Sequence, residues 1–415
     1  MTPTGRWSPR TARESPGDRT HLRPALAGLF AALTLLGACA RPPDKLTLTA
    51  TTFAALPGWE KNDPDGALEA FNRSCARLLD GSQPLDTPLG PGGIAGTLAD
   101  WQSPCTEAAT LRDFLRTAPV GDADARRRDF FESWFLPYKA GNNGRSQGLF
   151  TGYYEPELRG ARQPGGAYTT PLLRRPPDLV TVDLGQFRPD WRGLRIAGHA
   201  VNGRLVPVES RAEIEQGALD RQHLAFLWVD DPIDAFFLQI QGSGRVRLAD
   251  GTMVQVGYDG QNGKPYVPIG RLLLQRGALA ADDVSMQAIR AWIKANPAAG
   301  AALMDENPSY VFFREIAGDG PLGAQGVALT AERSLAVDRD FMPLGVPIWL
   351  DADLGGEKLQ RLMVAQDTGG AIRGPVRGDV FWGFGPEAEA RAGTMKAAGE
   401  YYLLLPKTVA PAPSS

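Results

Sequence analysis

Glycine and proline recur so often along this chain that long uninterrupted helices are disfavoured. The 415 residues include 48 glycines and 34 prolines, about a fifth of the chain. Glycine supplies backbone conformations that other residues avoid, and proline ends regular structure, so the two together mark turns. This composition favours a turn-rich β protein over a helical bundle. The length suggests two or three domains.

The first forty residues are typical of an export signal. Several arginines precede an apolar run from Ala25 to Gly37, which is too short to span a bilayer comfortably. The run ends in Leu36-Gly37-Ala38-Cys39, which resembles the bacterial lipobox and predicts lipidation of Cys39. The alternative is an ordinary secretory peptide with a chance cysteine. We expect a signal peptide over residues 1–38 and a polar tether over residues 39–60. An aspartate directly after the lipidated cysteine is the signal for retention in the inner membrane, and Ala40 stands at that position here. By the same resemblance, this favours the periplasmic face of the outer membrane.

Export leaves Cys75 and Cys105 together in an oxidising compartment. A disulfide between them would close a loop of about thirty residues; two free buried thiols are the alternative. The formal charge of −3 offers no basic surface for nucleic acid, and only three histidines are present, so we expect neither a nucleic-acid partner nor a metal site.

Helical and strand-like segments divide the chain. Apolar residues at spacings of three and four predict helices between Asp63 and Tyr138. Beyond Gly148 the pattern becomes strand-like, apart from a helix near Val284 to Ala295 and a short one after Gly385. The predicted strands include Leu149–Tyr154, Ala235–Gln241, Gly244–Leu248, Val254–Tyr258, several between Val327 and Phe384, and Tyr401–Leu405. Asp250-Gly251 predicts a hairpin turn, and residues 406–415 a disordered tail.

Two aspartates near a glycine pair carry the clearest chemical signal. Asp367 ends an apolar strand and is followed by Gly369-Gly370, and Asp379 begins another apolar strand. Two carboxylates held close together cannot both ionise easily, so one could serve as a general acid. Trp382 nearby would suit stacking on a sugar face. The alternative is ordinary Asp-Gly turn chemistry with Trp382 in the core.

Other catalytic classes fit less well. Asp367-Thr368-Gly369 is similar to the aspartic-protease motif, but those enzymes need two copies and only one is present. His199 and His223 lack a serine in a Gly-x-Ser-x-Gly context, and no closely spaced cysteine pair suggests zinc.

Several segments in consistent order resemble the membrane-bound lytic transglycosylase A family, from about residue 60 to 405. They are Phe150-Thr151-Gly152-Tyr153-Tyr154-Glu155-Pro156, Gln239-Ile240-Gln241-Gly242-Ser243-Gly244, Tyr258–Gly263, Ser285–Ile289, Asn307–Phe313, Val337-Asp338-Arg339, Pro343-Leu344-Gly345 and the two aspartate segments.

The resemblance implies a mainly β fold with some α structure. It places a double-psi β-barrel catalytic domain with N-terminal helices over residues 61–159 and 307–405, and an inserted smaller β-barrel domain over residues 160–306. It also implies three site aspartates, Asp338, Asp367 and Asp379. Asp379 corresponds to the acid/base, with the other two tuning or orienting it. Compared with the family pattern, one more residue separates Asp367 from Asp379. The loop Pro375-Val376-Arg377 is therefore expected to differ in shape from that of the family.

The implied reaction is cleavage of the MurNAc–GlcNAc β-1,4 bond of peptidoglycan without water and without a cofactor. An intramolecular nucleophile makes a second carboxylate unnecessary. Candidate substrate-binding residues are Thr151, Tyr153, Tyr154, Gln241, Ser243 and Trp382, although plain structural support is an alternative for each. Two other functions stay open at this point: an inverting hydrolase that uses both Asp367 and Asp379, and a non-catalytic glycan-binding lipoprotein. Other cell-wall enzymes are possible partners.

Overall fold

The computed structural model describes residues 43–61, 63–117, 120–191, 194–280, 283–318 and 320–409. The expected signal peptide, Cys39 and residues 410–415 of the expected tail lie outside these residues. The strands, numbered in chain order, are β1 Leu46–Ala50, β2 Phe135–Asn142, β3 Gly148–Glu155, β4 Glu157–Ala161, β5 Thr170–Leu173, β6 Leu179–Asp183, β7 Arg195–Val201, β8 Arg204–Pro207, β9 Ala225–Val229, β10 Ser243–Leu248, β11 Met253–Gln261, β12 Val311–Glu315, β13 Ser334–Val337, β14 Pro347–Asp353, β15 Lys358–Asp367, β16 Arg377–Phe384 and β17 Lys396–Pro406. The α-helices are α1 Asp65–Leu78, α2 Leu98–Thr117, α3 Ala123–Trp134, α4 Arg211–Glu215, α5 Pro232–Gln241, α6 Ile269–Gln275, α7 Met286–Ala295, α8 Pro297–Asp305 and α9 Pro386–Thr394.

Six strands close into a ring. Their order is β17, β14, β15, β13, β16 and β3, and β3 pairs back onto β17. The pairs β13–β15 and β16–β3 are parallel, and the other pairs in the ring are antiparallel. β2 and β1 extend the sheet outward from β17. A closed ring of this kind has no free edge between its strands.

The N-terminal helices cover one side of this ring. α1 and α2 are joined by a disulfide between Cys75 and Cys105, which lie 30 residues apart in the chain. The aromatic residues Phe71, Trp101 and Phe135 pack together between the helices and the ring. These aromatics therefore belong to the core.

A second, six-stranded sheet has the order β12, β11, β10, β4, β9, β5. The Asp250-Gly251 turn joins β10 to β11 as predicted, and Gly251 has a φ of 86°. The sheet curls so that Leu173 on β5 and Phe312 on β12 share one hydrophobic cluster. Its strands extend from Glu157 to Glu315, so the sheet covers more of the chain than residues 160–306. A three-stranded sheet, β6-β7-β8, is attached to it.

Arg211 fixes the second sheet to its helices from a fully buried position. Its guanidinium donates to Glu215, to Gln239 and to the carbonyl oxygens of Asn307 and Ser309. Burying a charge is costly unless it is fully paired, and here the pairing is complete enough to hold three segments together.

Three sequence-based expectations were wrong. The disordered tail expected over residues 406–415 is wrong at residues 406–409, because Pro406 ends β17 and Val409 is buried in the main core. Ala235–Gln241 is the greater part of helix α5 and not a strand. The Asp231 side chain caps the helix at the Ile233 N–H, 2.8 Å away, and Pro232 occupies its first turn. A short continuous apolar run cannot be assigned by periodicity alone, because buried helices and buried strands share it. The tether expected over residues 39–60 is also wrong from Leu46 onward, because β1 pairs with β2. The alternation of leucine and threonine in β1 is strand patterning, although its threonines suggest a polar linker.

Candidate active site

Strand β13 brings Asp367 and Asp379 to the same place. β13 lies between β15 and β16, and its residue Ala336 is the register partner of Asp367 on one side and of Asp379 on the other. The register shifts at Ala336, where a bulge places Asp367 at the end of β15. The two carboxylates thus flank one small residue, which leaves room for both side chains above the sheet.

Asp379 receives a hydrogen bond from the neighbouring strand β3. Thr151 is its register partner there, and the Thr151 hydroxyl donates to Asp379 Oδ1 at 2.6 Å. The guanidinium of Arg377, two residues before Asp379, donates to the same hydroxyl oxygen at 2.8 Å. No donor among the described residues lies within hydrogen-bonding distance of Asp379 Oδ2.

Asp367 is hydrogen-bonded through both oxygens. Its Oδ1 accepts from the backbone N–H groups of Ala324 and Thr368, each at 2.8 Å. Its Oδ2 accepts from the Tyr153 hydroxyl at 2.9 Å. Three donors stabilise the charged form of this carboxylate and fix its orientation.

A small apolar cluster lies beneath the two carboxylates. It comprises Tyr153, Leu329, Ala336, Ile372 and Phe381. Burial raises the pKa of Asp379 to about 6, while the Thr151 hydrogen bond and the charge of Arg377 act in the opposite direction and the charge of Asp367 adds to the rise. Burial also raises the pKa of Asp367, against its three hydrogen bonds. A carboxyl group with a pKa near 6 can hold a proton close to neutral pH and can therefore act as a general acid.

Asp338 is buried on the loop side of the site. Its Oδ2 accepts from the Gly374 N–H at 2.7 Å and its Oδ1 from the Asp340 N–H at 3.2 Å. Arg373 lies 3.7 Å from the same carboxylate. Asp338 therefore holds the loop between Asp367 and Asp379, and the described residues show no direct hydrogen bond from it to either aspartate.

Two family models match consecutive parts of the chain: the MltA specific insert domain at residues 149–314 and the 3D domain at residues 333–405. Membrane-bound lytic murein transglycosylase A of Vibrio cholerae is 30% identical over 391 residues, covering 90% of this chain and 93% of the relative. The chain belongs to the membrane-bound lytic murein transglycosylase A family. This confirms the resemblance drawn from the sequence motifs, and with it the expectation of an enzyme.

Solved structures of the family agree with the fold. The membrane-bound lytic murein transglycosylase of Agrobacterium tumefaciens superposes with a TM-score of 0.75 at 34% identity, covering 87% of this chain and 98% of that one. MltA of E. coli with bound chitohexaose superposes with a TM-score of 0.60 at 28% identity, covering 82% and 90%. The mainly β fold class expected from the sequence, with a barrel domain and an inserted β domain, is confirmed.

Within this transglycosylase A fold, Trp382 does not reach the carboxylates. Only 5% of its surface is exposed, and it belongs to the main core with Ala388 and Ala392 of α9. Side chains alternate between the two faces of a strand, so a residue three positions after Asp379 points to the opposite face. The expected role in stacking on a sugar is therefore wrong, and the alternative of a core residue holds.

Tyr154 and Gln241 join the two sheets and lie away from the carboxylates. The Tyr154 N–H donates to Gln241 Oε1 at 3.2 Å, and its buried phenol lies against Arg290 of α7 and Glu389 of α9. Ser243 is buried at the start of β10 in the second sheet, and the described residues show no hydrogen bond from it to Asp367 or Asp379. The contacts that the structure shows for Tyr154 and Gln241 are structural. Thr151 and Tyr153, by contrast, touch the carboxylates directly.

Arg377 is the site residue that the sequence interpretation missed, because it was noted only as part of a loop of unusual length. Its place two residues before Asp379 in a strand was a usable signal, because residues i and i+2 share a face. Within the described ranges, no group of three or more His, Cys, Asp or Glu side chains could hold a metal, and none of the described helices is long and apolar enough to cross a membrane.

Proposed function

We propose that the protein cleaves the MurNAc–GlcNAc β-1,4 bond of peptidoglycan without water, with Asp379 as the single acid/base. The observation that carries the proposal is the difference between the two carboxylates. Asp367 has both oxygens engaged by three donors, whereas Asp379 has one oxygen engaged and the other open. Only Asp379 can present a proton to a substrate.

The first step is proton donation. Protonated Asp379 gives its proton to the glycosidic oxygen, the bond from C1 of MurNAc to that oxygen breaks, and GlcNAc leaves with a free 4-hydroxyl. Positive charge develops at C1 as the bond breaks. The carboxylate of Asp379, formed in this step, stabilises that charge.

The second step uses the same carboxylate as a base. Asp379 accepts the proton of the C6 hydroxyl of MurNAc, and that oxygen forms a bond to C1 to give the 1,6-anhydro sugar. The nucleophile is already part of the substrate, and well-oriented intramolecular reactions reach effective molarities of ~10⁵ M or more. Asp379 ends the cycle protonated and ready for the next strand.

Asp367 is suited to adjusting the pKa of Asp379 and not to activating water. A general base needs an unoccupied lone pair directed at the water, and the three donors leave Asp367 with little capacity to accept another proton. Its charge instead raises the pKa of Asp379. This arrangement favours the transglycosylase over an inverting hydrolase.

The proposed setting is the periplasmic face of the outer membrane, with a lipid anchor on Cys39. The relatives are named membrane-bound, and one related structure contains chitohexaose, which supports a glycan substrate. Other cell-wall enzymes are proposed as partners. Replacing Cys39 by serine should release the protein from membranes, and metabolic labelling with a radioactive fatty acid should mark the wild-type protein and not the variant.

Digestion of purified peptidoglycan followed by mass spectrometry tests the reaction. The expected products carry 1,6-anhydroMurNAc and are lighter by one water than hydrolysis products. Asp379→Asn should give no product while still binding peptidoglycan. Products at the hydrated mass alone would show hydrolysis and refute the transglycosylase reaction, and binding without cleavage by the wild-type protein would assign a glycan-binding lipoprotein.

A further inference from the structure

Arg377 is held firmly beside the reacting carboxylate. Its Nη1 donates to the carbonyl oxygens of Leu149 and Gly378, and its Nη2 donates to Thr151 Oγ1 at 2.8 Å. The guanidinium is thus anchored to β3 and β16 at once. Arginine presents several donors in a fixed plane, so these bonds define the position of the remaining N–H groups.

The direction of the hydrogen bonds around Thr151 follows from donor chemistry. A guanidinium can only donate, so the Thr151 oxygen must accept from Arg377. A hydroxyl has one proton, and the acceptor that lies 2.6 Å from Thr151 Oγ1 is Asp379 Oδ1. The Arg377 contact therefore favours the hydroxyl rotamer that donates to Asp379.

We propose that Arg377 is a positioning residue that fixes the Thr151 hydroxyl as a donor to Asp379 Oδ1 and so places the transferable proton on Oδ2. This rests on the proposed function of Asp379. An oxygen that accepts a hydrogen bond from Thr151 is disfavoured as the protonated one, because a carboxylic acid carries its proton on the oxygen that has no donor facing it. Oδ2 is the oxygen left open among the described residues, so the proton faces the space available to substrate.

The charge of Arg377 has a second, separable consequence. It lies close enough to Asp379 to lower the pKa of that carboxyl against the effect of burial. The same charge stabilises the carboxylate that exists after the first proton transfer. Loss of either the charge or the Thr151 hydrogen bond should therefore move the pH dependence, whereas only loss of the Thr151 orientation should lower the rate on the low-pH plateau.

A double-mutant cycle between Arg377→Met and Thr151→Val separates the two effects. The readout is kcat for anhydro-product release on the low-pH plateau, where Asp379 is protonated in every variant. Arg377→Met should lower kcat about tenfold in the wild-type background, the equivalent of one hydrogen bond, and less than about twofold in the Thr151→Val background. Equal factors in the two backgrounds would overturn the proposal, because Arg377 would then not act through Thr151.

Two control variants and one further measurement keep the result interpretable. Thr151→Ser should retain most of the rate that Thr151→Val loses. Arg247→Gln, at an exposed arginine paired with Glu157 in the second sheet, should leave the wild-type rate unchanged. Carbon NMR of labelled aspartate reports the pKa of Asp379 without any turnover, and Arg377→Met should raise that pKa by about one unit. A wild-type enzyme that makes no anhydro product would refute the proposed function alone, whereas an unmoved Asp379 pKa in folded Arg377→Met would refute the role of the Arg377 charge.

Discussion

The phenol of Tyr153 donates a hydrogen bond to Asp367 Oδ2 at 2.9 Å and links β3 to the end of β15 across the site. The ring of Tyr153 packs against Phe381, 5.2 Å between centroids, so its position is fixed by packing as well. The pKa of the phenol is raised by burial and by the neighbouring charge of Asp367, so Tyr153 keeps its proton and acts as a donor throughout.

Replacement of Tyr153 by phenylalanine should therefore lower activity through Asp367. Loss of one donor to a buried carboxylate costs about 1.5–3 kcal/mol and favours protonation of Asp367. A neutral Asp367 no longer raises the pKa of Asp379, so the acid is less often protonated. We expect kcat/KM for peptidoglycan to fall at neutral pH by up to about tenfold, with the descending limb of the pH profile displaced to lower pH. Tyr168→Phe, in the turn between β4 and β5, is the matched control, and an unchanged profile in Tyr153→Phe would contradict this role.

The pH dependence of the wild-type enzyme should show one limb from Asp379. In the proposed mechanism Asp379 must be protonated in the free enzyme, and burial raises its pKa to about 6. The value of kcat/KM should thus decline about tenfold per pH unit above about pH 6 and show no decline from a second carboxylate on the acid side. Initial rates of anhydro-product release between about pH 4 and pH 8, with circular dichroism to verify folding, measure this. An acid limb that disappears in Asp367→Asn would instead identify Asp367 as a base.

How far the sequence predicts this site depends on whether the relevant contacts are local. Asp367 and Asp379 were found because a glycine pair and two apolar strands lie beside them in the chain. Their common neighbour Ala336 could not be found from spacing, since strand order in a ring is set by pairing between distant segments. The wrong prediction for Trp382 could have been avoided from the sequence alone. Trp382 lies three positions after Asp379 in the same strand, which places its side chain on the opposite face.

The same distinction applies to the fold. The helices α1, α3, α7 and α9 and the β10–β11 hairpin follow from periodicity, caps and turn residues, and these predictions were confirmed. Helix α5 and strand β1 were missed because a short apolar run and a threonine-rich segment each fit two structures until their packing partners are known. The resemblance to a family supplied the arrangement of the barrel, which composition and periodicity alone did not determine.

Asp379 should destabilise the folded protein at neutral pH. The pKa of an aspartate in an unfolded chain is about 3.9, whereas in the folded protein it is about 6. Between these values the folded state binds more protons, so the free energy of unfolding decreases as pH rises from about 4 to about 6 and stays lower above it. Asp379→Asn removes this titration and should be more stable than wild type by up to roughly 3 kcal/mol at about pH 7.5, with little difference near pH 4. Urea denaturation at both pH values measures the difference, and an equal difference at the two values would contradict it.

Gly152 makes the packing of helix α9 against β3 possible. A β-carbon at this position would lie 2.5 Å from Trp382 Nε1 and 2.8 Å from the backbone Cα of Ala392, which cannot yield without moving the helix. Gly152→Ala should therefore lower the free energy of unfolding by about 1–3 kcal/mol, the usual cost of overpacking. Thermal denaturation measures this. Gly121→Ala is the control, since a β-carbon there meets nothing within 4 Å.

The disulfide between Cys75 and Cys105 should stabilise the protein by restricting the unfolded chain. It joins α1 to α2 across 30 residues, and both cysteines are buried against the aromatic core. A loop of this length corresponds to about 3.6 kcal/mol. We expect the Cys75→Ala, Cys105→Ala double variant to unfold at a lower urea concentration than wild type, and a reductant to lower the midpoint of the wild-type protein but not of the variant. Thiol counting on a Cys39→Ser background, under denaturing and non-reducing conditions, provides the independent check. Two free thiols there would show that the bond does not form in the protein. The effect of the reductant should then also be absent, because a reductant changes stability here only through the bond between α1 and α2.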